Sequence, residues 1–410
     1  MKIIVFRNNN PFYELSAAAN RWLTLIQGIL GEGAHVELLI LGGFNSQREC
    51  KEYRNGIRPY NVPVFYLSTL PAYKGFVRKA ARLLKPLTMP FYCRRAQRYL
   101  SEKCPDFVWF CREYPVLEVL EALEKNRTYR LVYEASEFED IHEGNGYWQR
   151  RIQAERQRCF KEFVLGKVEL FTLMTTRLCR HFVESANRPI RYIHVPMTVD
   201  LSRFQDLSDE KISVPVLSCP YIAYCGALSS RKDGVDILIQ SFAKFVQTHS
   251  DYKLCLAGAL GKESAFLRDL AVNLGVGDRV IFCGMIDRNQ IPIFLKNAAI
   301  VALARPQSRQ AEGGFPTKLG EYLASGRPVC VTRTGEIVEY LTDRVNAFLA
   351  EPGSIDDFFR ALTYAVDHIE EAEMVGEAGF RVAQTAFNMK RQAKLIRDQL
   401  ETILEEGVSI

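Results

Sequence analysis

The sequence predicts an α/β protein made of two doubly wound domains, and three observations carry that prediction. Short apolar runs alternate with longer helix-like stretches through the first half of the chain. The same alternation restarts after a stretch at 206–220 that is rich in Ser and Asp and holds Pro215 and Pro220. The length, 410 residues, exceeds what a single hydrophobic core ordinarily accommodates. Alternating strand and helix patterns imply parallel strands joined by crossover helices. The first domain is expected over 1–205 and the second over 219–388, with a C-terminal helix at about 389–410 packing back on the first.

In order along the chain, a strand at 2–6, a helix at 15–30, the turn Gly31-Glu32-Gly33 and a strand at 35–41 form a βαβ pattern. Further strands are expected at 64–67, 107–111, 130–134, 170–174 and 192–195. After the margin at 206–220 come a strand at 221–225, a helix at 235–248, a strand at 253–257, a helix at 262–274, a strand at 280–283, a helix at 290–297 and a strand at 299–304. Paired domains of this kind recur where a nucleotide binds on one side of a cleft and a second substrate on the other.

Composition bounds the function. Hydrophobic residues make up 48%, charged residues 25% and aromatics 11%, which describes a folded globular protein and neither a disordered nor a fibrous one. No apolar run reaches the ~18 residues that span a bilayer. The chain enters a strand-like run at Ile3 without a signal peptide, so a cytoplasmic location is expected. Eleven cysteines lack any Cys-x-x-Cys pair or His/Cys cluster of ligand spacing, so they read as reduced, buried residues and no metal site is expected.

The net charge of +5 conceals an asymmetry. Between 53 and 101 there is no Asp or Glu, while Arg54, Arg58, Lys74, Arg78, Lys79, Arg82, Lys85, Arg94, Arg95 and Arg98 are all basic. Apolar and basic residues alternate at helical spacing over 76–85, and Tyr73, Phe91, Tyr92 and Tyr99 add aromatics. This composition suits peripheral contact with an anionic membrane, which a cytoplasmic protein would meet at the inner face of the plasma membrane. A solvated basic face is the other reading. No nucleic-acid motif accompanies the charge, so no nucleic-acid partner is expected.

The most informative segment runs Glu312-Gly313-Gly314-Phe315-Pro316-Thr317-Lys318-Leu319-Gly320-Glu321. Two glycines and a proline predict a loop, and helix formers from about 317 to 325 end at Gly326 and Pro328. A loop therefore feeds a helix N-terminus, whose unpaired N–H groups favour a phosphate. Glu321 lies one turn inside, where a carboxylate can accept hydrogen bonds from two sugar hydroxyls. Thr317 adds a hydroxyl, and Lys318 adds charge or points to solvent. An ordinary surface helix behind a Gly-Gly-Phe-Pro turn is the competing reading.

Three companion segments sharpen this. Tyr224 to Ile239 holds Gly226, Ala227, Ser229, Arg231 and Lys232 in a strand-loop-helix pattern; Leu274 to Gly284 precedes Met285; and Val195 to Phe204 precedes the margin between domains. Together with 312–321 they resemble the retaining glycosyltransferases of family 4, which have the GT-B fold of two Rossmann-like domains facing across a cleft. The resemblance implies a nucleotide-sugar donor, UDP- or GDP-linked, with no cofactor and no metal. It implies that Lys232 contacts the donor diphosphate beside Gly226 and Ser229, and that Glu321 holds the ribose. Gly314, Phe315, Pro316 and Thr317 would bring their backbone to the phosphates, with Lys318 adding charge, and Gly284 and Met285 would line the base pocket.

Two departures accompany the resemblance. Ala227 stands where the family has an arginine, and Arg231 is the candidate substitute. The family's first glutamate, which contacts the donor sugar, falls on Gly313, with Glu312 one position early. In the first half, Asn8, Asn9 and Asn10 follow the first strand where the family has a loop over phosphates and acceptor; they are either hydrogen-bonding groups or a plain turn. Four carboxylates cluster at Glu134, Glu137, Glu139 and Asp140, of which Glu137 is the candidate to orient or deprotonate an acceptor hydroxyl. His142 lies close by.

The implied reaction is transfer of a sugar, with retention, to a hydroxyl of a glycan or polyprenyl-diphosphate-linked acceptor in polysaccharide assembly. A sugar-nucleotide epimerase on the same fold and a catalytically silent glycan-assembly subunit are the alternatives.

Overall fold

The computed structural model describes residues 1–14, 16–138, 147–205, 207 and 219–408. The chain divides into two compact units, one formed by Met1–Val195 with Lys390–Ile410 and the other by Pro196–Met389.

The first unit is built on a parallel sheet of seven strands: β1 (Lys2–Arg7), β2 (His35–Ile40), β3 (Val64–Tyr66), β4 (Phe107–Cys111), β5 (Arg130–Ala135), β6 (Leu170–Leu173) and β7 (Tyr192–His194). Their order is β3-β2-β1-β4-β5-β6-β7, so the chain winds outward from β1 in one direction and then the other. Ile3 pairs with Val36 on one side and Phe107 on the other, which makes β1 central and accounts for its unbroken apolar run. Helix Ala17–Gly31 begins where the Ser16 side chain accepts a hydrogen bond from the Ala19 amide. It delivers Trp22, Leu25, Ile26 and Ile29 to the core, where Trp22 meets Trp109 edge-on at 5.1 Å. Ala393, Ile396, Leu400 and Ile403 of helix Met389–Val408 belong to the same apolar cluster.

The second unit repeats the plan with β8 (Tyr221–Cys225), β9 (Lys253–Ala257), β10 (Val280–Gly284), β11 (Ile300–Leu303), β12 (Val329–Thr332) and β13 (Phe348–Ala350). The order is β10-β9-β8-β11-β12-β13, again all parallel and doubly wound. Helices Ile355–Asp367 and Ile369–Thr385, and strands β12 and β13, extend the unit beyond the elements expected from the sequence. Strands of three and four buried residues are too short to show a periodicity.

The boundary differs from the expected one at 205. Residues 196–204 pack with the second unit: the Gly320 amide lies 3.1 Å from Met197 Sδ, Lys296 Nζ donates to the Phe204 carbonyl at 2.7 Å, and Arg203 pairs with Glu321. A short irregular segment joins whichever body satisfies its polar groups, and here that body is the second unit. Most of the expected linker at 206–220 lies outside the described residues.

Candidate functional site

At the C-terminal end of β8 the chain turns at Gly226, whose amide donates to the Ala257 carbonyl at 2.9 Å. A Cβ on Gly226 would lie 2.5 Å from Lys318 Nζ and 2.6 Å from Lys318 Cε, so a larger residue there would push the lysine's head aside. The glycine thus admits the lysine. Lys318 Nζ pairs with Asp233 Oδ2 at 2.7 Å, donates to the Tyr224 hydroxyl at 3.1 Å and sits 5.0 Å from the centre of the Tyr224 ring. The Tyr224 hydroxyl is in turn 2.5 Å from the Ala227 carbonyl and 3.1 Å from Asp233, and burial keeps it protonated by raising its pKa well above the ordinary value.

Burial lowers the Lys318 pKa, Asp233 pulls it back up, and the guanidinium of Arg305 lowers it further. The largely buried Lys318 and the buried Arg305 therefore stand close enough to influence each other where β8 and β11 end. Lys318 was expected as added charge or a solvated side chain, and it is neither exposed nor unpartnered. Arg305 was missed in the sequence, although a charged residue directly after the apolar run of β11 was a visible signal.

The loop from β8 continues into the short helix Ser230–Asp233, capped by the Ser229 side chain, which accepts from the Lys232 amide at 3.2 Å. Gly234 ends it at φ 65°, and a Cβ there would lie 2.0 Å from the Ala304 carbonyl, so only glycine fits the turn. That close approach ties the Asp233 turn to the end of β11. Lys232 is half-buried and Arg231 exposed. The buried Ser230 hydroxyl has no hydrogen-bond partner among the described residues.

The segment 312–321 differs from the expected loop in its first part. Arg309–Gly313 is a helical turn capped by Ser308, so Glu312 and Gly313 lie on helix, because the cap supplies the hydrogen bond that starts one. Glu312 accepts from Gln307 Nε2 at 2.9 Å. Gly314 ends that turn in extended geometry, and helix Lys318–Ala324 follows, with Thr317 at its start. Phe315 turns inward against Tyr340 and Phe387, at 5.7 and 5.3 Å between ring centres. Pro316 is also buried and Thr317 half-buried, so the main chain of Phe315 to Thr317 is what remains for a ligand. Tyr322 fastens the helix to β8, its hydroxyl 2.9 Å from both the amide and the carbonyl of Cys225.

Glu321 is largely buried and ion-paired to Arg203, whose other terminal nitrogen donates to the Arg288 carbonyl at 2.5 Å. Arg203 thereby ties the Glu321 helix to the segment that follows β10. That segment carries the expected base-pocket residues: Gly284 at the end of β10 with φ 73°, and Met285, exposed. Leu260, also exposed, approaches Gly284 and was not anticipated. Arg203 was another residue sequence reasoning passed over, and its place in the segment from Val195 to Phe204 was the available signal.

The residues anticipated on the first unit are placed differently. Glu137 follows β5 and is exposed. Glu134, counted with it as a cleft carboxylate, is a buried partner of Arg21. Glu139, Asp140 and His142 lie outside the described residues. The asparagine amides are engaged by neighbouring protein groups: Asn8 Nδ2 donates to Asn9 at 3.0 Å, Asn9 Nδ2 to Glu14 at 2.7 Å and Asn10 Nδ2 to the Tyr66 hydroxyl of β3 at 2.8 Å. A groove of about 810 Å³ on this unit is lined by Arg127, Lys167 and Arg191. Those three cations are paired with Glu169, Glu124 and Glu406, and Arg188, which also lines the groove, is bonded to the carbonyls of Leu165, Pro189 and Val168.

Two doubly wound parallel domains, with cations and a carboxylate gathered at the strand ends of the second, define a protein of the GT-B fold. Residues 209–382, which take in most of the second unit, match the family described as Glycosyl transferases group 1. An uncharacterized glycosyltransferase of Methanocaldococcus jannaschii is 28% identical over 160 residues, covering 39% of this chain and 37% of that protein. The 2-deoxystreptamine glucosyltransferase of Streptomyces kanamyceticus is 22% identical over 263 residues, covering 62% of this chain and 66% of that protein. The chain thus spans less than two thirds of either curated relative. Among solved structures, Anabaena HepE in complex with UDP superposes with TM-score 0.71 at 18% identity over 98% of this chain and all of its own, and sucrose-phosphate synthase from Thermosynechococcus elongatus with TM-score 0.73 at 13% identity over 99% of this chain. These likenesses show the fold.

Proposed function

We propose that the protein is a retaining glycosyltransferase that moves a sugar from a nucleoside-diphosphate sugar to a hydroxyl group. The observation that carries this reading is Lys318, seated against Gly226 with Asp233 as its one carboxylate partner among the described residues and with Arg305 near. A diphosphate placed there would supply the negative charge that the lowered Lys318 pKa says is wanting. In the transfer, the bond from the anomeric carbon to the diphosphate breaks as the bond to the acceptor oxygen forms on the same face. The acceptor proton passes to the departing phosphate oxygen. Charge therefore builds on the diphosphate, where preorganised cations are each worth about 10²–10³ in rate. Lys318, Arg305 and Lys232 take that role, so the cationic work is assigned to side chains and not to a metal.

Glu321 holds the ribose hydroxyls, positioned by Arg203, while Gly284, Met285 and Leu260 face the base. The main chain of Phe315 to Thr317 meets the phosphates, with Ser229 and Arg231 at their margin. Acceptor recognition is assigned to the first unit, with Glu137 as the carboxylate nearest that task, and the acceptor is a lipid-linked or cell-surface glycan intermediate met on the cytoplasmic side. HepE has been solved with UDP and with UDP-glucose, and a relative is named a glucosyltransferase, so UDP-glucose is the first donor to try.

Calorimetric titration with UDP, GDP and their sugars tests the donor assignment. One nucleotide should bind, and Glu321→Ala should weaken it by about 10–100-fold, since a hydrogen bond to a charged acceptor contributes ~1.5–3 kcal/mol. If no nucleoside diphosphate binds, the donor site is wrong. Product analysis with UDP-glucose and no acceptor separates transfer from epimerisation, because an epimerase needs no acceptor.

A further inference from the structure

We propose that the two helices Gly75–Leu83 and Lys85–Lys103 dock the protein on an anionic lipid bilayer, with Phe76, Leu83, Leu84, Leu87 and Phe91 as the side chains that enter it. Those five residues are 72%, 82%, 50%, 78% and 55% exposed within a span of sixteen residues. Isolated exposed apolar side chains need no explanation, but a contiguous group of this size marks an interaction surface.

Helix Lys85–Lys103 has two unlike halves. Its C-terminal half is rooted in the first unit. There Ala96, Tyr99 and Leu100 are buried and Tyr99 stacks on Phe65 at 4.4 Å. The Tyr99 hydroxyl donates to Glu37 at 2.7 Å, Lys103 pairs with Glu37 at 2.9 Å, and Arg95 donates to the Leu67 carbonyl at 3.0 Å. The N-terminal half extends from this anchor with Leu87 and Phe91 uncovered. Leu84, Leu87, Phe91, Arg94 and Arg98 follow one another at steps of three or four residues, so they form one stripe along the helix. That stripe changes from apolar to cationic as it approaches the anchor. A helix that dips its apolar end into the acyl boundary and leaves guanidinium groups at headgroup level has this arrangement.

Charge selects the occupant. The sequence from 53 to 101 carries ten Lys and Arg residues and no Asp or Glu, and among the described side chains Arg54, Arg58, Lys74, Lys79, Arg94 and Arg98 are exposed. A two-fold contact with a second copy would bring like charges face to face. A nucleic acid would use the cations but gain nothing from exposed leucines, since single strands are held by cations and aromatic stacking. Acidic headgroups over hydrocarbon answer both the charge and the leucines. No helix among the described residues is long and apolar enough to cross a membrane, so the contact is peripheral. This surface lies on the first unit and does not depend on the donor assignment in the second.

Vesicle sedimentation of the full chain tests it, with phosphatidylglycerol/phosphatidylcholine vesicles against phosphatidylcholine alone. The protein should pellet with the anionic vesicles, release as salt is raised, and stay in the supernatant with the neutral ones. The variant F76S/L83S/L87S/F91S should partition at least about tenfold less, because each position contributes apolar burial. The exposed sites make misfolding of that variant unexpected, and unchanged thermal unfolding checks it. A separate variant, Phe91→Trp, should gain fluorescence that brominated lipids quench, which reports insertion directly. Equal supernatant recovery with and without anionic lipid would overturn the proposal, as would undiminished partition of the quadruple variant. So would single-stranded RNA binding that the four serines leave intact, or a wild-type dimer that they dissolve.

Discussion

In the first unit, Arg7 at the end of the central strand β1 donates twice to Glu113, both bonds at 2.9 Å, and lies 5.1 Å from the centre of the Trp22 ring. In the second, the group that fills the end of the central strand β8 is Lys318, 2.7 Å from Asp233. Both cations are buried at equivalent points of sheets with the same winding, yet their acidities move in opposite directions. Burial works against the charge of Arg7, but the Glu113 carboxylate bonded to it supports that charge, and its pKa rises. Burial of Lys318 is only partly offset by Asp233, and its pKa falls. A cation held above its ordinary pKa is electrostatically complete; one held below it gains from a further anion. On the proposed function, the comparison sets a strand end that serves the fold against one that would take a ligand's negative charge.

The largest effect should follow from removing the incomplete cation. Lys318→Met should cut turnover by about 10²–10³ and weaken nucleoside-diphosphate binding, as expected for a lost preorganised charge. It should also destabilise the second unit by ~3–5 kcal/mol, because Asp233 is left buried and unpaired. The double variant D233N/K318M distinguishes the two losses: urea unfolding should recover while nucleotide binding should not. Recovery of both would assign Lys318 to the fold alone and erase the contrast with Arg7.

The parts of this contrast that the sequence disclosed follow a physical rule. Strands β1, β2, β8 and β9 were legible because burial on both faces demands unbroken apolar runs, and helix Lys318–Ala324 because Gly326 and Pro328 punctuate its end. Gly226, Lys318 and Glu321 were singled out by residue type and spacing. Their partners were not, since Arg203 stands 118 positions from Glu321 and Asp233 precedes Lys318 by an entire run of strands and helices. Spacing along the chain gives no measure of such pairings. Glu134 illustrates the converse error: it sits among carboxylates in the sequence, but Arg21, far away along the chain, takes it into the core. The helical turn Arg309–Gly313 was hidden because its Ser308 cap outweighs the weak helix propensity of the glycine that ends it.

The Arg21–Glu134 pair offers the matching perturbation in the first unit. Both side chains are nearly inaccessible, and Arg21 also donates to the Val195 carbonyl at 2.8 Å. Arg21→Met should cost ~3–5 kcal/mol of stability through the uncompensated Glu134 carboxylate, measured by urea unfolding. In contrast with Lys318→Met, nucleotide affinity should stay at the wild-type value under conditions where the variant remains folded. An affinity loss comparable to that of Lys318→Met would show that the first unit's buried charges are not confined to its fold.

The smallest of these effects depends on pH and rests on Glu37, a buried carboxylate of β2. Burial alone would raise its pKa, but hydrogen bonds from Lys103, Tyr99 and His35 hold it down at about 2, against 4.5 ordinarily. A carboxylate whose folded pKa is depressed contributes stability above its unfolded pKa and loses it as pH falls toward the folded one. The window is therefore from about 4.5 down to about 2, and the shift corresponds to at most about 3 kcal/mol. Other carboxylates titrate over the same range, so the readout is the difference in urea midpoint between wild type and Glu37→Gln. That difference should shrink steadily as pH is lowered from 5 to 3, because Glu37 of the unfolded chain takes up a proton there while the native carboxylate stays ionised, which removes its advantage over the amide. A constant difference across the window would mean that Lys103 and Tyr99 do not stabilise the charged form. The anchor of helix Lys85–Lys103 would then rest on the stacking of Tyr99 on Phe65, and the first unit would lose one of the charge pairs that set it apart from the second.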